Sequence, residues 1–391
     1  YYGRFVAIYI TPKNQEFLII NDACSQSQVF FDDSFENIGT TVNILSNFTS
    51  LTPHKKSDAY DYYNSKDFKK LKLFVNNTSH IENIHRLMPN HALDIINKKT
   101  FRFFPLEKAQ IKPVKEVAKI AAQFLKGYLK SISQRYNLYV PITAGYDSRL
   151  LFLASLNLPC TYFVTRFEGM SDDHEDMIFA KKIASIYGKD LKIIDDPVFP
   201  PEDFDKTYAK SLDFPSFTTP DPIEKNAIIN GNISEIARNH FHHLIAINGS
   251  DLNFLHQYEQ HPFVTKELQK WLQESKVKIE KNGYHTLDFF LWEQFMGIIH
   301  AKVKTEMNQL KVTVFTPYNS RFLLETMLST KRKYRFRDHN KLYDEIIKCY
   351  TDNEEMLKLP VNPNPIQTRH FILSKMGLFK FYTNLRTKLK V

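Results

Sequence analysis

The feature that most restricts the fold is a regular alternation of short apolar runs and helical segments between residues 138 and 194. Residues 138–142 form a short apolar run, and residues 148–156 follow with helical spacing. Residues 160–165 read as a second strand, 173–187 as a second helix and 191–194 as a third strand. Strands and helices alternating at this spacing build βαβ units around a parallel sheet. Upstream, Val114, Val117, Ile120, Ala121, Phe124, Leu125 and Tyr128 recur at the helical period, so this segment is an amphipathic helix with one buried face. Residues 244–247 read as a further strand, and the chain beyond about residue 285 reads as mainly helical.

The first 105 residues read differently. Residues 3–10 and 17–22 are strand-like runs separated by Thr11, Pro12, Lys13 and Asn14, a turn signal. Residues 28–31 form a third run, and residues 92–104 a hairpin with Asn97, Lys98 and Lys99 at its turn. Many short strands with tight connections imply sheet layers. Pro105 and Pro113 flank a polar stretch. The expected organisation is therefore a β-rich domain over residues 1–105 and an α/β domain over 110–391 with a helical C-terminal region.

Of the 391 residues, 43% are hydrophobic and 24% charged, which is an ordinary globular composition with enough chain for a large core. The net charge of +9 is spread along the chain and is dense only in the tail, so it does not single out a nucleic-acid partner. Cys24, Cys160 and Cys349 are far apart and odd in number. That argues against a disulfide framework and fits a reducing, cytoplasmic setting. His240, His242 and His243 lack a partner cluster and read as solvated or core-satisfied side chains rather than ligands. No apolar run is long enough to span a bilayer. The residues from Tyr1 onward already read as a strand interior, so the chain is expected to be a piece of a longer protein.

The segment richest in chemistry runs Thr143, Ala144, Gly145, Tyr146, Asp147, Ser148, Arg149, between a strand and a helix. Such a loop leaves backbone N–H groups at a helix N-terminus, a natural seat for phosphate. Ala144 and Gly145 let the backbone approach an anion closely, and Thr143 and Ser148 add hydroxyl groups. Asp147 would repel phosphate by itself and makes sense as a Mg²⁺ ligand. The pattern lacks the Gly-Lys-Ser/Thr ending of a Walker loop. Read alone, the segment is equally an ordinary strand-to-helix turn with a Ser/Asp cap.

Residues 143–148 resemble the Ser-Gly-Gly-x-Asp-Ser pyrophosphate loop of the N-type ATP pyrophosphatases, in the variant of the asparagine-synthetase group. Thr143 stands where that family has Ser, and Ala144 where it has the first Gly. Other segments are similar in the same order. They are Gly3-Arg4-Phe5, Ile20-Asn21-Asp22, Val29-Phe30-Phe31, Arg86-Leu87-Met88-Pro89-Asn90-His91 (usually ending Pro-Gly-His), Glu175-Asp176 with Ala180 and Ala184, Thr316-Pro317-Tyr318-Asn319-Ser320-Arg321, and Lys341 after Asp338-His339-Asn340.

The resemblance implies an adenine nucleotide alpha hydrolase-like parallel sheet with flanking helices, preceded by a partial Ntn-type, glutaminase-like domain. It implies a ligase that uses Mg²⁺ and ATP, releases AMP and pyrophosphate, and activates a carboxylate as an acyl-adenylate for amide formation with ammonia or an amine. Asp147 and a second acid, Asp251, would hold the metal. Residues 143–149 would hold the phosphates, and the adenine would lie near Phe163, Val164 and Thr165. Lys341 would stabilise developing charge. The family usually shows Gly-x-Gly-x-Asp-Glu where this chain has Asn248-Gly249-Ser250-Asp251, and a surface turn is the equal reading there.

The glutamine-using relatives carry a nucleophilic Cys at the N-terminus, whose α-amino group is the base. Here position 1 is Tyr and Cys24 is internal, so the chain is not expected to hydrolyse glutamine and Cys24 reads as a small buried residue. Trp292-Glu293-Gln294, residues 317–324 and Leu359-Pro360-Val361-Asn362-Pro363 are similar to synthetase-like proteins of bacterial surface-polysaccharide clusters. In the tail, Phe379, Phe381, Tyr382 and Leu385 mix with Lys375, Lys380, Arg386, Lys388 and Lys390. That is compatible with contact at an anionic membrane surface, although a solvated helix packed on its own domain is the stronger reading. The alternatives to a ligase are a non-catalytic nucleotide- or partner-binding protein with the same fold, and ATP-dependent RNA thiolation. The latter needs a sulfur-carrying cysteine near the loop and an RNA-binding module, and neither is evident.

Overall fold

The computed structural model describes residues 3–11, 13, 15–71, 73–167, 169–195, 225–256, 261–302, 313–336, 340–361, 372–379 and 381–382. These fall into two units. One is drawn from Tyr1–Ala109 and Ile247–Phe322, the other from Gln110–Asp196, Ile223–Ala246 and Leu323–Val391.

The first unit carries two antiparallel sheets. Its strands are β1 (Val6–Thr11), β2 (Glu16–Asn21), β3 (Phe30–Asp32), β4 (Ile38–Gly39), β5 (Ile84–Arg86), β6 (His91–Asp94) and β7 (Lys99–Arg102). The orders are β1-β2-β6-β7 and β4-β3-β5. The turn between β1 and β2 includes Pro12 and Asn14, which lie outside the described residues. Successive side chains of a strand face opposite ways, and β3 uses this. Phe31 packs with Ile19, Val29, Leu87 and Leu93, while Phe30 packs with Val42, Leu45 and Ile84. Asn90 has a φ of 64°, a left-handed conformation that Asn tolerates.

The helices Pro262–Lys281 and Thr286–Leu291 also belong to this unit, followed by a π-helical turn at Trp292–Met296. That turn delivers Glu293, which is fully buried, to Arg102 at 2.5 and 2.6 Å. Trp271 Nε1 and Asn90 Nδ2 also donate to the Glu293 carboxylate, at 2.8 and 3.0 Å, and Arg102 donates to Ser275 Oγ at 2.7 Å. Trp292 donates to the Ala23 carbonyl at 2.7 Å, and the Gln294 side chain accepts from the Asn76 N–H at 2.9 Å. The Trp292-Glu293-Gln294 triplet therefore has an interior, structural role here.

His91 sits beside this pair, with its Nδ1 2.8 Å from the Pro89 carbonyl. Burial, reinforced by the Arg102 charge, lowers its pKa from 6.5 to about 4. The unfolded chain takes up this proton as pH falls below 6.5, whereas the folded chain waits until about 4. Stability is therefore lost across that window as pH falls, by roughly 3 kcal/mol in all. In urea unfolding at pH 7 and pH 4.5, a His91→Gln variant is expected to lose less stability than the parent. An identical acid loss in both proteins would contradict this assignment.

The second unit begins with the helix Val114–Ser133, which buries Val117, Ala118, Ala121, Leu125 and Leu129. Ile120 and Phe124 flank that stripe and are half-buried. Next come β8 (Asn137–Pro141), the helix Tyr146–Ser155, β9 (Cys160–Arg166), the helix Glu175–Ile186, β10 (Leu191–Asp195) and β11 (Asn226–Ile229). The α/β character with a parallel sheet is as the alternating pattern implies. Within this unit the parallel strands run in the order β10-β9-β8-β11. The Tyr146–Ser155 helix is buried nearly all round, as expected for an element covered on every side. The Val114–Ser133 and Lys341–Lys348 helices both pack on it.

One expected strand is absent. Residues 244–247 are not extended into any sheet, and Ile245 and Ile247 are 76% and 70% exposed. The sheet position beside β8 is taken instead by β11, with Ala227 opposite Leu138. A four-residue strand is too short for periodicity to mark, and its place comes from pairing.

No helix among the described residues is long and apolar enough to cross a membrane.

Candidate functional site

The order of the sheet positions the site. The chain steps outward from β8 to β9 and β10, then returns to add β11 on the other side of β8. Parallel neighbours end on the same edge, so the loops after β8 and β11 lie side by side at a topological switch point. Ligands of open α/β sheets bind in the crevice at such a point.

The loop after β8 is held by its own side chains. Thr143 Oγ1 and Ser148 Oγ are 2.7 Å apart, and Ser148 Oγ accepts from the Thr143 N–H at 3.1 Å. The Gly145 N–H donates to Thr143 Oγ1 at 3.2 Å. The Ala144 N–H donates at 2.8 Å to Asp176, on the Glu175–Ile186 helix. Gly145 is the N-cap of the Tyr146–Ser155 helix and has no side chain to cap it. The Tyr146 hydroxyl donates to Asp344 at 2.9 Å, and its ring meets Tyr343 edge-on.

Asp147 is where the two loops meet. Its Oδ1 accepts a hydrogen bond from the Ser234 hydroxyl, and its Oδ2 lies 3.0 Å from Arg238 Nη2. The same Arg238 nitrogen is 3.1 Å from Glu235 Oε1. Glu235 Oε2 is buried and has no hydrogen-bond partner among the described residues. Two carboxylates from separate loops thus share one cation. Burial pushes the Asp147 carboxyl up to about 6, against the opposing pull of Arg238 and with Glu235 adding to the rise.

The β11 loop is shaped for this approach. A Cβ on Gly231 would lie 2.9 Å from Asp147 Cβ, closer than real side chains come. Ile233 has a φ of 82°, rare and strained for a β-branched residue, and its fully buried side chain holds it there. The Tyr343 hydroxyl donates to the Ser234 carbonyl at 2.9 Å, tying the Lys341–Lys348 helix to the loop.

The other expected site residues have distinct surroundings. Arg149 is 1% exposed and donates to the carbonyls of Ala144, Leu359 and Pro360 at 3.1, 3.0 and 2.5 Å. It ties the loop to a distant stretch of chain. Val164 and Thr165 are buried in β9 opposite Ile193 and Ile194. Lys341 is exposed at the start of its helix, with Nζ 5.2 Å from the Tyr334 ring centre. The neighbouring Asp338 and His339 lie outside the described residues, as do Asn362 and Pro363.

Asp251 sits on the Gly249–His256 helix of the first unit, and no strand precedes it. Its N–H donates to Asn248 Oδ1 at 2.9 Å, and its carboxylate accepts from the Ile247 N–H at 3.0 Å. Cys24 is fully buried. His242 and His243 pack their rings on Phe336. In the tail, Ile372, Met376 and Phe381 are exposed, while residues 380 and 383–391 lie outside the described residues.

Sequence reasoning missed Gly231, Ser234, Glu235 and Arg238. The signal was present, because Asn230-Gly231 follows the apolar Ile228-Ile229 just as Asn248-Gly249 follows residues 244–247. Two equal turn signals competed, and sheet pairing distinguishes them. The sequence matches no protein-family model and no curated protein.

Proposed function

We propose that the Asp147 site binds the phosphates of ATP together with Mg²⁺, and that the protein is an ATP-dependent ligase of the asparagine-synthetase type. The observation that carries this reading is the convergence of Asp147 and Glu235 on one cation at a helix N-terminus, at the switch point of a parallel sheet. Mg²⁺ prefers hard oxygen ligands and is usually held by one or two carboxylates plus substrate phosphates. Asp147 and Glu235 form such a donor pair, and the buried, unpartnered Glu235 oxygen suits a cation. No group of three or more His, Cys, Asp or Glu residues suited to a metal occurs among the described residues, so in this reading substrate phosphates and water would have to complete the shell. Glu235 takes the role that the resemblance suggested for Asp251.

When bound, the metal would neutralise charge as two anions approach. The chain's own groups do the rest. The first-turn amides of Tyr146–Ser155 face the phosphates, Ser234 orients Asp147, and Lys341 supplies an exposed cation. In this reading the parallel sheet is the adenine nucleotide alpha hydrolase-like domain, and the antiparallel sheets are part of an Ntn-type, glutaminase-like domain. The substrate is a small carboxylate, activated for attack by ammonia or an amine in cytoplasmic surface-polysaccharide synthesis.

The test is a pyrophosphate-release screen with Mg·ATP, offering sugar acids, Asp and Glu with ammonia. Release that depends on a carboxylate supports the ligase, and none with any acceptor argues against it. The same preparation allows a sharper check on the loop. Gly231→Ala is expected to displace Asp147 and weaken Mg·ATP binding about tenfold without unfolding the protein. Unchanged affinity by calorimetry would separate the β11 loop from the site.

A second reading is favoured by a specific observation. The N–H groups of Thr143, Ala144 and Gly145 already donate to Ser148, Asp176 and Thr143. A protein that binds a nucleotide or partner without catalysis accommodates such a closed loop. Tight Mg·ATP binding with no pyrophosphate release would favour it.

A further inference from the structure

We propose that Arg238 is a built-in counter-ion that makes the loading of metal conditional on nucleotide. It holds Asp147 and Glu235 until a divalent cation and phosphate arrive together. This inference rests on the ATP-site reading above.

The geometry supports an exchange. Arg238 reaches both carboxylates through one nitrogen, Nη2, at 3.0 and 3.1 Å, so a single side-chain rotation breaks both contacts. Its side chain is 9% exposed and its guanidinium carbon lies 6.0 Å from the Tyr343 ring centre. The Arg238 N–H donates to the Glu235 carbonyl at 3.0 Å, which fixes the backbone from which the side chain swings.

Charge decides the order of events. Asp147, Glu235 and Arg238 together carry one net negative charge when both carboxylates are ionised. A divalent cation alone would turn that into a net positive charge in a largely buried place, and would draw both carboxylates away from the guanidinium. Such a buried excess of positive charge is strongly unfavourable. A triphosphate removes the difficulty, because it supplies anionic oxygens to the displaced guanidinium as well as to the metal. Arg suits this second partner, since its planar fork matches phosphate geometry. Metal and nucleotide should therefore bind with strong positive coupling, and the coupling should depend on Arg238.

The experiment measures Mn²⁺ binding by electron paramagnetic resonance, with and without ATP, on the full chain. The parent is expected to bind Mn²⁺ alone weakly, and ATP to tighten it at least about tenfold. Arg238→Gln removes the competing cation. It is expected to bind Mn²⁺ alone at least about tenfold more tightly than the parent, with a smaller gain from ATP. Adding Glu235→Gln to that variant should abolish the gain. If Arg238→Gln does not fold, Arg238→Met serves instead, because it keeps a long stem and carries no charge. It is expected to bind Mn²⁺ alone more tightly than the parent.

A folded variant that binds Mn²⁺ alone no tighter than the parent overturns the proposal. If the parent nevertheless binds Mg·ATP, the ATP-site reading survives that failure. A variant that gains Mn²⁺ affinity beside a parent that never binds ATP supports the counter-ion and defeats the ATP-site reading. Mn²⁺ binding by neither protein, with or without ATP, defeats both.

Discussion

Asp147→Asn is expected to weaken Mg·ATP binding by about 100-fold or more, because in the proposed site it removes the charge on one of the two carboxylates assigned to the metal. The amide keeps the size of the side chain and an oxygen for the Ser234 hydroxyl, so the loop should stay in place. Calorimetric titration reads the affinity, and circular dichroism confirms the fold. The pH dependence has a definite sign. Burial raises the folded Asp147 pKa from 3.8 to about 6, so the folded state holds this proton more firmly than the unfolded one. The resulting stabilisation is present below 3.8 and is lost as pH rises through about 6. A divalent cation needs the ionised form, so parental affinity should climb as pH rises from 5 to 7. The Asn variant should show a smaller climb, the part that comes from ionisation of the terminal phosphate of ATP itself. Equal affinity in both proteins at pH 7 would remove Asp147 from the metal site.

Arg102→Met should destabilise the first unit by about 3–5 kcal/mol, since it leaves the Glu293 carboxylate buried without its cation. Proximity to Arg102 and the donors around it keep Glu293 ionised below the usual range despite its burial. With Arg102 gone, the hydrogen-bond donors left on that charge among the described residues are Trp271 and Asn90. The deficit should shrink as pH falls, because a protonated Glu293 no longer needs a counter-ion. Combining Arg102→Met with Glu293→Gln removes the stranded charge and keeps an acceptor for Trp271 and Asn90. The double variant should therefore recover much of the loss. Urea unfolding at pH 7 and pH 5 measures all of this. A single-variant cost below about 1 kcal/mol would mean that water reaches the pair, and that its geometry matters little.

Much of the architecture was legible in the residues. Val117, Ala121, Leu125 and Tyr128 announced a one-faced helix, and they are buried in one. The apolar runs around Val140 and Val164 announced buried strands, and both residues are nearly inaccessible. Arg149 was read as a cation beside phosphate, yet its guanidinium is bound to main-chain carbonyls. Residue type alone does not reveal which way a side chain turns. The strand expected at residues 244–247 shows a related limit, since apolar character fits an exposed loop as readily as a strand.

The sequence by itself determined the alternation of strand and helix, the small-residue turn at Thr143–Gly145 and the antiparallel hairpins of the first unit. These are local properties, written in periodicity and turn chemistry within a few residues of one another. The tertiary structure alone decided the partners of Asp147. Glu235 and Arg238 lie 88 and 91 positions away, and they reach it only because β11 returns to pair with β8. Strand pairing over such a separation depends on which edge is open and which faces must be covered, and no local pattern encodes that.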